Sequence, residues 1–273
     1  MEVQSDWGDW LPEPDGIALW YLGCNGFVLK TGDGTTLFID PYLGTGDPPR
    51  TIRMIPVPFD PVDVREADAV LATHEHTDHV HGPSQAPILA DSEAPFVGPG
   101  ASVEKARETE AWTEKYGISE EQFDAVTPGD TREFGDLTVH VEPAVDPDAI
   151  EPVSYLFAYE GTTVFHGGDT KPGPELAEIG REYDIDLGIL AFGSTGTIPD
   201  KETREPTRTK WYNDETQIVD SAVALELDRL LPTHWDMWKG LTADPTALFD
   251  HCRSRAYPDR IDVVEIGDRL DLD

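Results

Sequence analysis

Four residues whose side chains commonly bind metals stand within one short segment. The segment, residues 74–79, reads HEHTDH, and its candidate ligands are His74, His76, Asp78 and His79. Imidazole nitrogens and carboxylate oxygens are the ligands of hydrolytic zinc and manganese centres. An apolar run, ADAVLAT, directly precedes the segment and is typical of a buried strand. The pattern therefore predicts a metal site in a loop at the end of a strand.

Such a site predicts hydrolytic chemistry. A divalent cation lowers the pKa of bound water to about 7, so a hydroxide nucleophile is available without an activated serine or cysteine. The sequence contains no Gly-x-Ser-x-Gly segment, no P-loop and no Gly-x-Gly-x-x-Gly segment after a strand. Cys24, in the segment LGCNG, is interpreted as a small buried residue and not as a nucleophile.

Strand and helix patterns that could position these residues recur along the chain. Short runs rich in β-branched and aromatic residues predict strands at 17–23, 27–31, 35–41, 67–73, 137–146, 154–161, 162–169, 186–193, 229–236 and 262–268. Helical composition predicts helices at 101–116, 174–182, 214–227 and 244–255. Runs of strands with inserted helices favour an α/β fold of two packed sheets covered by helices. We expect one domain spanning residues 1–273, with the site at the strand ends.

The charge balance restricts the partners and the environment. Asp and Glu total 54 against 20 Lys and Arg, which gives a net charge of −34, and there are 31 Asp but only seven Lys. This charge repels phosphate backbones and disfavours nucleic acid as a partner. We expect a halophilic protein from a salt-rich cytoplasm, in which an Asp-rich surface stays hydrated. An ordinary acidic protein is the alternative.

The sequence also predicts a cytoplasmic protein without a membrane segment. No stretch approaches the roughly 18 uninterrupted apolar residues of a membrane helix, and the acidic, Pro-containing start is unlike a signal peptide. Cys24 and Cys252 are the only cysteines, too few for a disulfide framework.

The HEHTDH segment resembles the metal-binding motif of the metallo-β-lactamase superfamily, and further segments match other landmarks of that family in order. Asp40 matches an early aspartate that supports the metal loop, Asp169 in HGGD matches a bridging carboxylate, and His234 in PTHWD matches the last histidine ligand. Asp146 stands in Ala-x-Asp where Ala-x-His is usual. The resemblance implies a four-layer αββα sandwich with two mixed sheets flanked by helices.

Segments over most of the chain are similar to the L-ascorbate-6-phosphate lactonase branch of the superfamily, which also has Asp in the Ala-x-Asp position. They are WGDWLPE, LWYLGCNGFVLKT, DPYLGTG, DAVLATHEHTDH, AVDPDA, SYLFAYEG, FHGGD and PTHWDMW. The connections after Asp47, between Pro147 and Ser154, and at 202–210 depart from the branch. Because connecting loops usually form the pocket wall, the substrate stays open.

The resemblance implies one or two divalent ions, Zn²⁺ or Mn²⁺, and a role for each matching residue. One ion would be held by His74, His76 and Asp146. The second would be held by Asp78, His79 and His234, with Asp169 as the bridge. The predicted catalytic residues are Asp78, His79 and Asp169. Asp40 and His166 are expected to support the ligands.

Each assignment outside the HEHTDH segment has a simpler alternative. Asp40 could be a turn residue before Pro41, Asp146 an exposed loop acid, and His166 a strand cap. His81 is expected to be structural, and His140 and His251 to be surface or packing residues.

The favoured function is a metal-dependent hydrolase that opens a small lactone, in which the substrate can carry a phosphate. The alternatives are another hydrolase of the same fold, such as a phosphodiesterase or RNA-processing nuclease, and a metal-binding protein without catalysis. The expected partner is a small molecule, and related lactonases suggest a homo-oligomer. Basic residues that could meet a substrate phosphate are Arg53, Lys171, Lys201 and Lys210.

Overall fold

Two seven-stranded sheets form the centre of the molecule, which is described by a computed structural model. The structure describes residues 11–193, 195–253 and 255–272. Residues 7–10, which begin the WGDWLPE segment used in the family resemblance, lie outside the described residues.

The first sheet combines an antiparallel meander with parallel strands. Its members are β1 (Ile17–Gly23), β2 (Gly26–Thr31), β3 (Thr36–Ile39), β4 (Ala69–Leu71), β5 (Phe96–Pro99), β6 (Phe123–Val126) and β16 (Arg269–Leu272). The spatial order is β16-β1-β2-β3-β4-β5-β6. The hairpin of β2 and β3 pairs Phe27 with Ile39. Since β1, β3 and β4 run in one direction, their carboxyl ends lie at the same edge.

The second sheet repeats this plan. Its members are β7 (Thr131–Phe134), β8 (Leu137–Pro143), β9 (Val153–Tyr159), β10 (Thr162–His166), β11 (Leu187–Ala191), β14 (Arg229–Thr233) and β15 (Arg260–Ile261). The spatial order is β15-β14-β11-β10-β9-β8-β7. A separate hairpin consists of β12 (Gly196–Pro199) and β13 (Pro206–Thr209). Strands β8, β10 and β14 run in one direction and end at a common edge.

The inner faces of the two sheets share one apolar core. Leu19 and Phe27 of the first sheet belong to the same buried cluster as Val139 and Tyr155 of the second. Side chains alternate between the two faces of a strand, so Trp20 instead packs in the outer layer. Burial of both faces of β1 explains its continuous apolar sequence, IALWYLG.

Helices cover the outer faces of both sheets. They are α1 (Gly82–Ser92), α2 (Gly100–Glu104), α3 (Trp112–Tyr116), α4 (Pro174–Glu182), α5 (Glu215–Ala224) and α6 (Leu248–Cys252). Helix α1 packs on the first sheet, and α4 and α5 pack on the second. The four-layer αββα sandwich expected from the sequence is therefore confirmed. Within the described residues, none of the helices has the length and apolar content needed to span a bilayer.

Two sequence predictions of secondary structure were wrong, and the helix α1 was missed. The helix expected at 101–116 continues from α2 into a π turn at Lys105–Thr109 and then breaks before α3, because Ala111 adopts a left-handed conformation with φ 54°. Helix α1 was not predicted, since Pro87 lies inside it and proline removes a helical hydrogen bond. The segment 262–268 is not a strand, because it crosses from β15 in one sheet to β16 in the other.

Candidate metal centre

The predicted site residues converge because their strands end at one edge of the sandwich. Each follows a strand that runs toward this edge. Cys24 and Asp40 follow β1 and β3, and the HEHTDH segment follows β4. Asp146, Asp169 and His234 follow β8, β10 and β14. The sheet topology thus brings together residues that are up to 210 positions apart in the sequence.

The first cluster consists of His74, His76, Asp146 and Asp169. The Nε2 atom of His74 lies 2.9 Å from His76 Nδ1, 4.0 Å from Asp146 Oδ2 and 3.9 Å from Asp169 Oδ2. One ligand atom from each of these residues lies within 4.8 Å of all the others. Such spacing suits four donors arranged around one cation.

The second cluster consists of Asp78, His79, Asp169 and His234. The Nε2 atom of His79 lies 3.6 Å from Asp169 Oδ2, and His234 Nε2 lies 3.1 Å from Asp169 Oδ1. Asp78 joins from the cleft side, where its ligand atom lies within 4.8 Å of those of His234 and Cys24. Asp169 therefore belongs to both clusters and lies between them.

Buried polar atoms at the junction of the clusters fit a bound cation. His79 Nε2 and Asp169 Oδ1 are buried, and neither has a hydrogen-bond partner among the described residues. His234 Nε2 lies close to Asp169 Oδ1, but this contact lacks hydrogen-bond geometry. Buried polar groups are rarely left unpaired. A divalent cation bound by imidazole and carboxylate donors would satisfy both atoms.

Asp40 holds two histidines that are candidate ligands in position, one of them through Thr73. Its Oδ2 accepts hydrogen bonds from His79 Nδ1 at 2.8 Å and from the Thr73 hydroxyl at 2.7 Å, and its Oδ1 accepts from the Thr73 backbone N–H at 2.8 Å. The Thr73 oxygen in turn lies 3.1 Å from His74 Nδ1. With both Nδ1 atoms engaged in this way, the Nε2 atoms of His74 and His79 are directed into the clusters.

Burial and charge set the protonation of the candidate ligands. Burial, together with the neighbouring His79, holds the pKa of His74 well below its usual value, which keeps this ring neutral. Burial opposes ionisation of Asp169, but His234 and His79 outweigh it and hold the pKa of Asp169 well below its usual value. Burial also opposes protonation of His79, yet Asp40 and Asp169 raise its pKa well above normal. Metal ligation requires His79 to lose that proton.

The remaining histidines lie around the clusters or far from them. His166 Nε2 donates to the Asn25 carbonyl at 2.9 Å, and His166 Nδ1 lies 3.4 Å from the Gly168 N–H, so this ring holds the turn before Asp169. His81 borders the cleft and lies 2.6 Å from Ser84 Oγ through Nδ1. His140 and His251 contact protein groups outside the clusters.

A cleft of about 530 Å³ opens onto both clusters. The ligand side chains that line it are His76, Asp78, Asp146 and Asp169. Three cationic side chains also line it, namely Arg50, Lys171 and Lys201. Aromatic side chains form part of the wall, and they are Tyr42, Trp211, Tyr212 and Trp238. The Tyr212 ring stacks on His234, with ring centroids 4.0 Å apart.

Two of the four basic residues singled out in the sequence do not reach this cleft. Arg53 is buried, and its guanidinium donates to the carbonyls of Tyr42, Leu22, Pro56 and Ile55. Lys210 pairs with Asp214, the residue that caps the N-terminus of α5. Arg53 is therefore a structural cation that joins loops, because its donors are taken up by backbone oxygens.

Sequence reasoning missed three residues at the site, namely Thr73, Arg50 and Tyr212, and it assigned Cys24 only a packing role. Thr73 directly precedes His74, so its position could have drawn attention. Arg50 and Tyr212 lie in loops far from the HEHTDH segment in the sequence, and no local pattern marks them.

Comparisons with known proteins agree with this geometry. Residues 35–235 match the β-lactamase superfamily domain. The chain is 30% identical over 297 aligned positions to the probable L-ascorbate-6-phosphate lactonase of Escherichia fergusonii, and the match covers 90% of this chain and 79% of that protein.

Solved structures show the same fold at low sequence identity. A metallo hydrolase from the archaeon Ignicoccus hospitalis superposes with a TM-score of 0.68 at 20% identity, covering 94% of this chain and 99% of the other. An isothiocyanate hydrolase from Delia radicum gut bacteria has a TM-score of 0.68 at 15% identity, with coverage of 93% and 99%. On its domain match, its sandwich and its donor clusters, the chain belongs to the β-lactamase superfamily, as a metal-dependent hydrolase of the metallo-β-lactamase fold.

Proposed function

We propose that this hydrolase binds one or two divalent cations, Zn²⁺ or Mn²⁺, and opens a small anionic lactone such as L-ascorbate 6-phosphate. The observation that carries the proposal is the composition of the cleft. Candidate ligands of both clusters line it, and so do Arg50, Lys171 and Lys201, in a chain of net charge −34. The similarity to a lactonase named for a phosphorylated substrate supports the same choice.

In this proposal His74, His76 and Asp146 would hold one cation. Asp78, His79 and His234 would hold the second where two are bound. Asp169 would contribute to both. Bound divalent cations polarise carbonyl groups and lower the pKa of water to about 7, which is the chemistry that lactone opening needs.

The chain's own groups orient the ligands and the substrate. Asp40 and Thr73 fix the ring tautomers of the two buried histidines they contact. The Arg50 guanidinium lies over the Trp211 ring, 5.4 Å from its centroid, where it can meet an anionic substituent. Asp78 borders the cleft, and its carboxylate would accept the proton of the attacking water and return it to the ring oxygen as the lactone bond breaks.

A phosphodiesterase is the second candidate, because paired cation sites that share a carboxylate also suit phosphoryl transfer. An RNA-processing nuclease is a weaker candidate, since acidic residues such as Asp47 and Asp148 line the same cleft and would repel a polynucleotide backbone.

The experiment compares three substrates on protein loaded with manganese or zinc. We expect L-ascorbate 6-phosphate to be opened faster than unphosphorylated L-ascorbate, and both faster than bis-p-nitrophenyl phosphate is cleaved. Faster cleavage of the phosphodiester would favour the second candidate. No turnover of any of the three by fully loaded protein would contradict the lactone proposal.

A charge-removing variant tests the phosphate contact. Lys201→Met should raise KM for the phosphorylated lactone about tenfold, which corresponds to about 1.4 kcal/mol, and leave KM for the unphosphorylated lactone unchanged. Lys115→Met is the matched control, because Lys115 is an exposed lysine of α3 that does not line the cleft. Equal effects of the two variants would exclude a specific contact.

A further inference from the structure

Cys24 occupies the tight turn between β1 and β2, against the second cluster. Its backbone is left-handed, with φ 60°, a conformation that glycine adopts more readily. The Cys24 carbonyl accepts hydrogen bonds from the Tyr21 hydroxyl at 3.2 Å and from the His234 backbone N–H at 3.1 Å. The turn is thereby fixed to the loop that carries His234, and the buried side chain has a defined position.

The sulfur atom faces two candidate ligands of the second cation. Cys24 Sγ lies 3.5 Å from Asp78 Oδ2 and 3.6 Å from His234 Nε2. Zinc bonds of about 2.3 Å to sulfur and about 2.0 Å to nitrogen or oxygen allow neighbouring ligand atoms to lie about 3.5 Å apart. The measured separations match this spacing.

The geometry points to Cys24 as a ligand: we propose that its sulfur binds, as a thiolate, the cation held by Asp78 and His234. The inference rests on the ligand assignment made above and not on the identity of the substrate. Further support comes from the unpartnered, buried His79 Nε2 and Asp169 Oδ1, which form with His234 a neighbouring donor group that shares this histidine with Cys24 and Asp78.

A thiol that merely packs or donates a hydrogen bond explains the contacts less well. Cys24 Sγ is almost equidistant from the two ring nitrogens of His234, at 3.4 and 3.6 Å, so it does not lie along the lone pair of either one. Cys252, the other cysteine, is partly exposed on α6. Only Cys24 of the two lies among candidate metal ligands in the described part of the chain.

Sulfur ligation is balanced by the release of one proton. A thiol carries one S–H proton, and that of Cys24 lies beside the Asp78 carboxylate, with Sγ 3.5 Å from Oδ2. Formation of the bond between sulfur and the cation sends that proton to solvent. A thiolate also makes the second cluster softer than the first, which favours Zn²⁺, Co²⁺ or Cd²⁺ over Mn²⁺.

The test uses the full-length protein loaded with cobalt. Co²⁺ bound to thiolate absorbs in the near ultraviolet through charge transfer from sulfur, whereas its visible bands report occupancy alone. We expect the near-ultraviolet band in the wild type and in the matched control Cys252→Ser. We expect it to be absent from Cys24→Ser, with the visible bands retained.

Two other outcomes separate the possible failures. A wild type that binds cobalt at both clusters without the charge-transfer band, or a Cys24→Ser variant that keeps the band, would overturn the role of Cys24 alone. A wild type that binds no cobalt would overturn the ligand assignment as well. Since Cys24→Ser could fail to fold, cadmium NMR of the wild type gives a second measurement. One of two resonances should shift downfield as sulfur ligation requires, and two resonances in the nitrogen and oxygen range would contradict the proposal.

Discussion

The two clusters share Asp169 but differ in their other donors and in their surroundings. In the first, Asp146 also accepts a contact from Lys171, with Nζ and Oδ1 3.1 Å apart, so an ammonium group competes with a cation for this carboxylate. In the second, His79 and His234 are fully buried, and the Cys24 sulfur adds a soft donor. The first cluster is therefore hard and open to competition, and the second is softer and more enclosed.

This difference has consequences for metal exchange. A half-buried histidine, His76, would hold the first cation from the cleft side and is itself fixed by a hydrogen bond between Nε2 and the Asp148 carbonyl, 3.2 Å away. Because ligands that face solvent are replaced more easily than enclosed ones, we expect the first cation to be the labile one. Manganese should compete best at the first cluster and zinc at the second.

Removal of the shared carboxylate should have the largest effect on this comparison. Asp169→Asn takes away the charge common to both clusters, so both cations should be lost and kcat/KM should fall by roughly 10³-fold or more. Metal analysis of protein purified without chelator, together with lactone-opening rates, checks the expectation. Asp148→Asn, which changes an exposed acid of the same cleft, is the control and should keep both cations.

If Asp169→Asn emptied only one cluster, the bridging position would be wrong. The two clusters would then be independent sites with different functions.

Loss of a ligand from one cluster should weaken the binding of one cation and not of the other. Asp146→Ala should weaken the first cation by at least about 10- to 100-fold, the scale on which disturbed metal environments are felt, and leave the second cation bound. The fold should persist, because Asp146 lies in the loop after β8 and outside the core. Titration with manganese and zinc measures both affinities. Wild-type affinities in this variant would make Asp146 an ordinary loop acid.

A local pattern predicted the HEHTDH segment as a candidate metal site, and the family resemblance added Asp169 and His234. All of them lie shortly after apolar strands that run toward one edge, so their convergence follows from strand direction. The hairpin at Gly32-Asp33-Gly34 and the helix at 174–182 were also predictable, because turn residues and helical periodicity are local properties.

Contacts between distant segments were not predictable. Cys24 reaches His234 only because the ends of β1 and β14, in different sheets, face each other across the sandwich. Arg53 was a candidate for a substrate phosphate, yet its buried guanidinium donates to the carbonyls of Leu22 in β1 and Tyr42 in a loop. Packing between the sheets determines such contacts. No hydrophobic periodicity in a single sequence predicts how the two sheets pack.

Substitution of the residues that position the candidate ligands gives a finer test of the difference between the two clusters. Asp40 contacts His79 directly and His74 through Thr73. Asp40→Asn should therefore weaken both cations, by about 10- to 100-fold each. Thr73→Val keeps the shape of the side chain but removes its hydroxyl, so it should weaken mainly the first cation, and by less.

Separate zinc and manganese titrations of the two variants, with circular dichroism to confirm folding, measure these effects. Equal losses at both clusters in Thr73→Val would show that Thr73 does not act through His74 alone.

The smallest effect on the comparison should come from salt, which acts on the surface and not on the buried donors. Asp228 is mostly exposed, but partial loss of solvent and three neighbouring carboxylates raise its pKa. These neighbours are Asp184, Asp259 and Asp186. Because its folded pKa lies above the unfolded value, Asp228 lowers stability as pH rises through that pKa, and the cost is fully present at neutral pH. Salt should reduce it, since the Debye length falls from about 10 Å at 0.1 M to about 3 Å at 1 M.

We therefore expect Tm to rise between 0.1 and 1 M KCl, and to keep rising above about 1 M if the protein is adapted to salt, because excluded salt then strengthens apolar burial. Metals must be held saturating, since bound ligands also shift Tm. The ratio of zinc to manganese affinity at each cluster should change little over the same range, because donor type is a local property. A preference that disappeared at 1 M KCl would mean that the net charge of −34, and not the ligands, distinguishes the two clusters.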